Sequence, residues 1–172
     1  MRTLAKTLAL ALSASLAAPL WAQTCPASIA QTKPTSQYEI NNGTVLDKKT
    51  DLVWAQCTYG LEGADCATGS AQTFTWQGAL DIAQTANDNE YLGYSDWRLP
   101  NVNELESLTE SACYSPTINE EVFPNTKSSY YWSSSPGAVN SNGAWVVSFN
   151  HGNVGNLNKS GSLYVRLVRG GQ

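Results

Sequence analysis

The chain has 172 residues, with 14 Asp and Glu against 10 Lys and Arg and a formal net charge of −4. An acidic balance argues against a general nucleic-acid binder, which needs cations to displace phosphate counterions. Hydrophobic residues at 42% and charged residues at 14% suit one globular domain with a true core rather than a disordered chain.

Residues 1–22 read as a signal peptide. Arg2 and Lys6 form a positive start, and Leu8 to Leu20 is an apolar run of Leu, Ala and Ser. That run is too short to span a bilayer, and no later stretch is apolar enough to do so. Cleavage after Ala22 gives an exported chain that begins at Gln23, without an integral membrane segment. Losing Arg2 and Lys6 moves the charge from −4 to −6.

Residues 23–37 are rich in Pro, Thr and Ser and read as an N-terminal arm or linker ahead of a domain over residues 38–172. Tyr38 to Asp47 carries Asn42-Gly43, a hairpin signal. Thr50 to Gln56 reads as a strand with Leu52 and Trp54 on one face. Residues 57–73 form a Gly-rich loop. A helix starts near Thr75, with Trp76, Ala79, Leu80 and Ala83 at helical spacing, and fades by Asn87. Trp76 reads as a core anchor. Tyr91 to Pro100 leads into a second helix, capped by Asn101 with Glu104 three residues on, and Val102, Leu105 and Leu108 face the core.

The rest reads as β structure. Ser129–Ser133 is one strand. Ala144–Asn150 is another, with Trp145, Val147 and Phe149 alternating onto one face. His151-Gly152 is a turn, and Leu163–Val168 is a last strand. Two helices before a set of antiparallel strands make an α+β domain.

The four cysteines, Cys25, Cys57, Cys66 and Cys113, read as two disulfides in an exported chain. Four cysteines allow three connectivities. Cys57 and Cys66 bracket a short loop with Gly60, Gly63 and Asp65, which pairs them and leaves Cys25 with Cys113. A zinc site lacks CxxC spacing, and His151 is the only histidine.

The last third has a vocabulary of its own. From Val122 to Gln172 there is no Asp or Glu, and the cations are Lys127, Lys159, Arg166 and Arg169. Ser128 to Gly161 is dense in Ser, Asn, Gly, Tyr and Trp. Two readings are open: a recognition surface of rigid aromatics and adaptable amides, or an ordinary polar loop system.

The order Val45-Leu46-Asp47, Thr50-Asp51-Leu52-Val53-Trp54, Trp76 with Ala79, and Ser95-Asp96-Trp97-Arg98-Leu99-Pro100 with Glu104-Leu105 resembles the Lcl C-terminal domain family. That family takes its name from the C-terminal domain of the Legionella collagen-like adhesin. The match continues through Ile118-Asn119, Phe123-Pro124, Tyr131-Trp132-Ser133-Ser134, Ala144-Trp145 and Phe149. It ends in Tyr164-Val165-Arg166-Leu167-Val168-Arg169-Gly170. The resemblance implies a C-type-lectin-like fold, with two helices and antiparallel sheets, and an exported role in adhesion. It does not carry over a collagen-like stalk, and the acidic balance departs from binding of sulfated polysaccharide. The Glu-Pro-Asn and Trp-Asn-Asp patterns of calcium-dependent lectins are missing. No metal or cofactor is expected.

No catalytic constellation stands out. There is no Gly-x-Ser-x-Gly elbow or phosphate loop, and no pattern of paired carboxylates across a cleft. Asp96 and Arg98 read as structural, and His151 reads either as a contact or as a plain turn residue. The expected ligand contacts are Tyr130 as an aromatic platform, with Asn140, Asn142, His151, Asn153, Asn156, Asn158 and Lys159. The expectation is a non-enzymatic exported module that binds a glycan or protein through loops at Gly137–Gly143 and His151–Gly161. An accessory domain of a cell-envelope assembly is the alternative, and an enzyme acting on cell-wall polysaccharide is a third.

Overall fold

A computed structural model describes residues 23–138 and 140–170. The expected signal peptide, residues 1–22, lies outside the described residues.

The elements follow the local chemistry. Strands β1 (Tyr38–Asn41) and β2 (Thr44–Asp47) pair antiparallel, with Asn41 opposite Thr44. Asn42 and Gly43 both take positive φ, 46° and 82°, which gives the two-residue turn that matches strand twist. Strand β3 is Leu52–Ala55, with Leu52 and Trp54 buried as expected. The Gly-rich loop holds a small hairpin, β4 (Leu61–Glu62) and β5 (Thr68–Gly69), followed by β6 (Thr73–Phe74).

Helix α1 (Trp76–Asp88) starts where Thr75 accepts the Gly78 N–H. It buries Ala79, Ala83 and Ala86, a small-residue stripe that lets it sit close to the sheet. Helix α2 (Val102–Glu106) carries the full capping box: Asn101 accepts the Glu104 N–H, and the Glu104 carboxylate accepts the Asn101 N–H. Strands β7 (Tyr130–Pro136), β8 (Gly143–Ser148), β9 (Val154–Asn158), β10 (Leu163–Tyr164) and β11 (Val168–Gly170) complete the chain.

Two main sheets result, β1-β2-β3-β11 and β6-β10-β7-β8-β9, beside the two-stranded β4-β5 hairpin. All pairings between strands are antiparallel except β10 with β7. The domain is α+β with two disulfides, Cys25–Cys113 and Cys57–Cys66. Both pairings agree with the sequence reading.

Adjacent residues of β7 and β8 point into different cores. Tyr131 and Val147 join Trp54, Leu105, Leu108, Phe123 and Phe149 on one side. Trp132 and Val146 join α1, Trp97, Val165 and Leu167 on the other. A strand with both faces buried is fixed in register, because a one-residue slip exchanges the two cores. Each fully buried large side chain contributes on the order of 2–3 kcal/mol.

Two expectations about the last third need correction. Val154–Asn158 was read as part of a loop, because Gly155, Asn156 and Asn158 are poor strand formers; it is strand β9, since β8 offers a free edge for pairing. Leu163–Val168 was read as one strand; it is split between β10 and β11. Between them the Val165 and Leu167 carbonyls accept from Tyr59 and Ala55 as the chain passes from one sheet to the other. Trp145 shares a face with Val147 and Phe149 as expected, yet it is 36% exposed, and Trp132 is the core tryptophan.

The arm is fastened down. Cys25 is bonded to Cys113, and Thr24 exchanges backbone hydrogen bonds with Tyr114. Thr32 and Lys33 donate their backbone N–H groups to the buried Glu110 carboxylate, at 2.9 and 2.6 Å.

Candidate recognition surface

The β8–β9 ladder sets the geometry. Trp145 lies opposite Asn156, Gly143 opposite Asn158, and Val147 opposite Val154. Alternation puts Trp145, Asn156 and Asn158 on the face shared with Val147 and Val154. The valines pack against the first core, whereas Trp145, Asn156 and Asn158 are exposed. The short α2 packs on β7 and β8 on this side. Trp145, on the same face, is 36% exposed.

The loop between β7 and β8 is tied to the Trp145 end of this face. The Asn140 side chain accepts the Asn142 N–H at 3.0 Å, and the Asn140 carbonyl accepts the Gly143 N–H at 2.9 Å. The Asn156 amide lies across Gly143, so a Cβ there would displace that side chain. Asn158 accepts from the Ser160 N–H and hydroxyl, at 3.0 and 2.9 Å.

Lys159 extends the ladder through its N–H to the Asn142 carbonyl. Its ammonium donates to the Ser141 carbonyl at 2.9 Å and lies 4.3 Å from the centre of the Trp76 ring. That cation is therefore engaged, and it braces the loop against the start of α1. Trp76 in turn donates its indole N–H to the Ser133 carbonyl at 2.8 Å.

The other expected contacts sit elsewhere. Tyr130 is opposite Ser148, at the far end of β8, and is 36% exposed. His151 and Asn153 belong to the turn after β8. The Asn153 carbonyl accepts the Ser148 N–H, and His151 Nε2 lies 3.1 Å from the Asn150 amide nitrogen. Asn153 and Asn158 are separated by roughly 16 Å of strand, at about 3.3 Å per residue. The eight expected contacts thus form two groups. Asn140, Asn142, Asn156, Asn158 and Lys159 cluster at one end, with Tyr130, His151 and Asn153 at the other.

Residues 43–169 match the Lcl C-terminal domain family. The chain belongs to that family. The match spans all eleven strands except β1 and the last residue of β11, and both helices. No match was found among curated proteins.

Within this family member, no three of His, Cys, Asp and Glu converge as metal ligands among the described residues. No helix among them is long and apolar enough to cross a membrane. Among the described residues the ion pairs are Arg98–Glu104 and Arg169–Asp96, and neither includes a residue of the β8–β9 hairpin. Arg169 also stacks on Tyr94, 3.9 Å from the ring centre.

Sequence reasoning missed Trp145 as a surface residue. It alternates with the buried Val147 and Phe149, so the pattern alone does not set it apart from them. A signal was present in the three flanking residues Ser141-Asn142-Gly143, which are polar or small, as expected beside an exposed strand end.

Proposed function

We propose that this protein is an exported, non-enzymatic binding module with a C-type-lectin-like fold, acting in adhesion or surface recognition. The observation that carries this reading is the exposed Trp145 beside the cross-strand Asn156 and neighbouring Asn158. An indole gives a large rigid contact, and flanking amides donate and accept around it, the pairing that recognition surfaces use. Membership of a family named for an adhesin domain supports the same reading. So does the pair of disulfides, which suits an oxidising compartment.

The ligand is a glycan or a protein, held by hydrogen bonds and aromatic contact. Asn140, Asn142, Asn156 and Asn158 form the principal contact group with Trp145. Lys159 positions the loop. Tyr130, His151 and Asn153 form a second contact group for a ligand long enough to reach both. A glycan and protein array probed with the chain tests the reading. Binding lost in an Asn156→Ala, Asn158→Ala double variant supports the assignment; unchanged binding overturns it. EDTA is expected to have no effect, and strong EDTA sensitivity would point to a calcium-dependent lectin.

The free edge of β9 favours a second reading, an accessory domain of an envelope assembly. β9 is the terminal strand of its sheet and carries neither charge nor proline over Val154–Asn158. Such an edge is a template for an added strand. A stoichiometric protein partner recovered with the native chain would favour this second reading.

A further inference from the structure

A cleft of about 720 Å³ opens between the β1–β2 turn, the Cys57–Cys66 loop and the turn at Tyr91–Gly93. We propose that it binds a low-molecular-weight organic amine with an apolar body. The volume lies within the range of small-molecule sites, about 300–1,000 Å³. The walls are apolar: Ile40, Leu61, Tyr91 and Leu92 line it. Ile40 is 47% exposed and Leu92 36%, so the described chain leaves apolar surface open here.

The backbone is strained at one wall of the cleft. Leu92 holds φ of 54°. The left-handed region is unfavourable for leucine, whose Cβ crowds the following carbonyl there. Here that conformation sets the Leu92 side chain against Gly43, where an added Cβ would lie 3.0 Å from Leu92 Cδ2. The result is a wall made of Leu92 over a residue with no side chain. Strain of this kind collects at ligand clamps. Tyr91 is held by Tyr59 and Trp97, with ring centres 5.9 and 5.8 Å away, so this wall is rigid.

Charge selects the ligand. Glu62 and Glu121 are the charged side chains lining the cleft, and no Lys, Arg or His lines it. An apolar ligand with a single positive group matches both features. An anionic one would meet two carboxylates, while the cation behind this wall, Arg166, is buried and occupied by the Ala55 and Gln56 carbonyls and the Thr126 hydroxyl. Every lining residue comes from residues 40–121, so the cleft shares nothing with the β8–β9 surface.

Three fluorescent compounds of similar shape test this on the full chain: 1-naphthylmethylamine, 1-naphthalenemethanol and 1-naphthoic acid. The amine is expected to saturate one site. The alcohol is expected to bind about tenfold more weakly, and the acid not at all, with the difference shrinking as salt rises. A Glu62→Gln, Glu121→Gln double variant should bring the amine down to the alcohol's affinity and leave the alcohol unchanged. Leu92→Gly, which suits the backbone at that position, should weaken amine and alcohol alike. Equal binding of amine and alcohol overturns the proposal. So does any preference for the acid, an amine preference that survives the double variant, or no binding by any of the three.

Discussion

The guanidinium of Arg166 lies 4.9 Å from the ring centre of Phe123, fully buried between the two sheets. Its partners are neutral. Nη1 donates to the Ala55 and Gln56 carbonyls, and Nη2 donates to the Thr126 hydroxyl at 2.7 Å. Burial pulls its pKa down from the ordinary arginine value to about 10, so it remains charged at neutral pH. The residue works as a cross-link between β3, the Phe123–Thr126 turn and the β10–β11 crossing.

Arg166→Met keeps the length and removes the charge and the fork of donors. It leaves buried acceptors without partners, at about 1–3 kcal/mol each. The expected loss is roughly 3 kcal/mol, read as a drop of about 10 °C in melting temperature. A change of under 2 °C would mean that water or a shifted side chain takes over these bonds.

Glu110 makes the arm's attachment pH-dependent. Burial pushes its pKa up, but hydrogen bonds from the Thr32, Ala112 and Lys33 N–H groups and the Thr32 hydroxyl outweigh that and hold it below the usual carboxylate value. The stabilisation is therefore present above the unfolded-state pKa and is lost as pH falls through the depressed folded value. Hydrogen exchange at the Thr32 and Lys33 amides should speed up on acidification below about pH 4, relative to amides of β8. Glu110→Gln should show fast exchange at neutral pH and little further change on acidification.

What was legible in the sequence was local. The Asn42-Gly43 turn, the Thr75 start of α1 and the Asn101–Glu104 capping box each depend on residues within four positions of one another. The disulfide pairing was legible because Cys57 and Cys66 close a short loop. What was not legible depends on neighbours remote in sequence. β9 exists because β8 presents an edge, although Gly155 and Asn156 favour turns. Trp145 is exposed on the same face that buries Val147, which no alternation pattern records. The amine cleft joins segments near residues 40, 62, 92 and 121, and nothing in their sequence spacing announces that they meet.

The two disulfides should differ in weight. Cys25–Cys113 spans a sequence separation of 88 and Cys57–Cys66 one of 9. Loop-closure entropy predicts roughly 4–5 kcal/mol for the first and roughly 2–3 kcal/mol for the second. Denaturant titration of Cys25→Ala, Cys113→Ala and of Cys57→Ala, Cys66→Ala double variants measures this. The order should hold even if both values fall short. The reverse order would mean that the short loop has a packing role that outweighs chain entropy.

The Asn101 cap and the Arg98–Glu104 pair can be separated. Arg98 grips Glu104 with both Nη atoms at 2.7 Å, yet its side chain is 43% exposed, so solvent screens much of the attraction. Asn101→Ala should cost about 1 kcal/mol and Asn101→Asp close to nothing. Glu104→Gln keeps an acceptor for the Asn101 N–H and loses only the ion pair, so it should cost less than Asn101→Ala. Equal costs would place the energy in the ion pair instead.

Trp145→Ala separates recognition from folding. The indole is 36% exposed at the open end of β8, so its loss should cost less than about 1 kcal/mol of stability. Trp132→Ala, at the same sheet but fully buried, should cost about 3–5 kcal/mol. If the β8–β9 face is the recognition surface, Trp145→Ala should reduce ligand binding by about 30-fold, the loss of an aromatic anchor worth roughly 2 kcal/mol. The same variant should leave amine binding in the cleft untouched. A Trp145→Ala protein that unfolds as Trp132→Ala does would show that Trp145 belongs to the core energetically, and would move recognition to the Tyr130, His151 and Asn153 end of the strand.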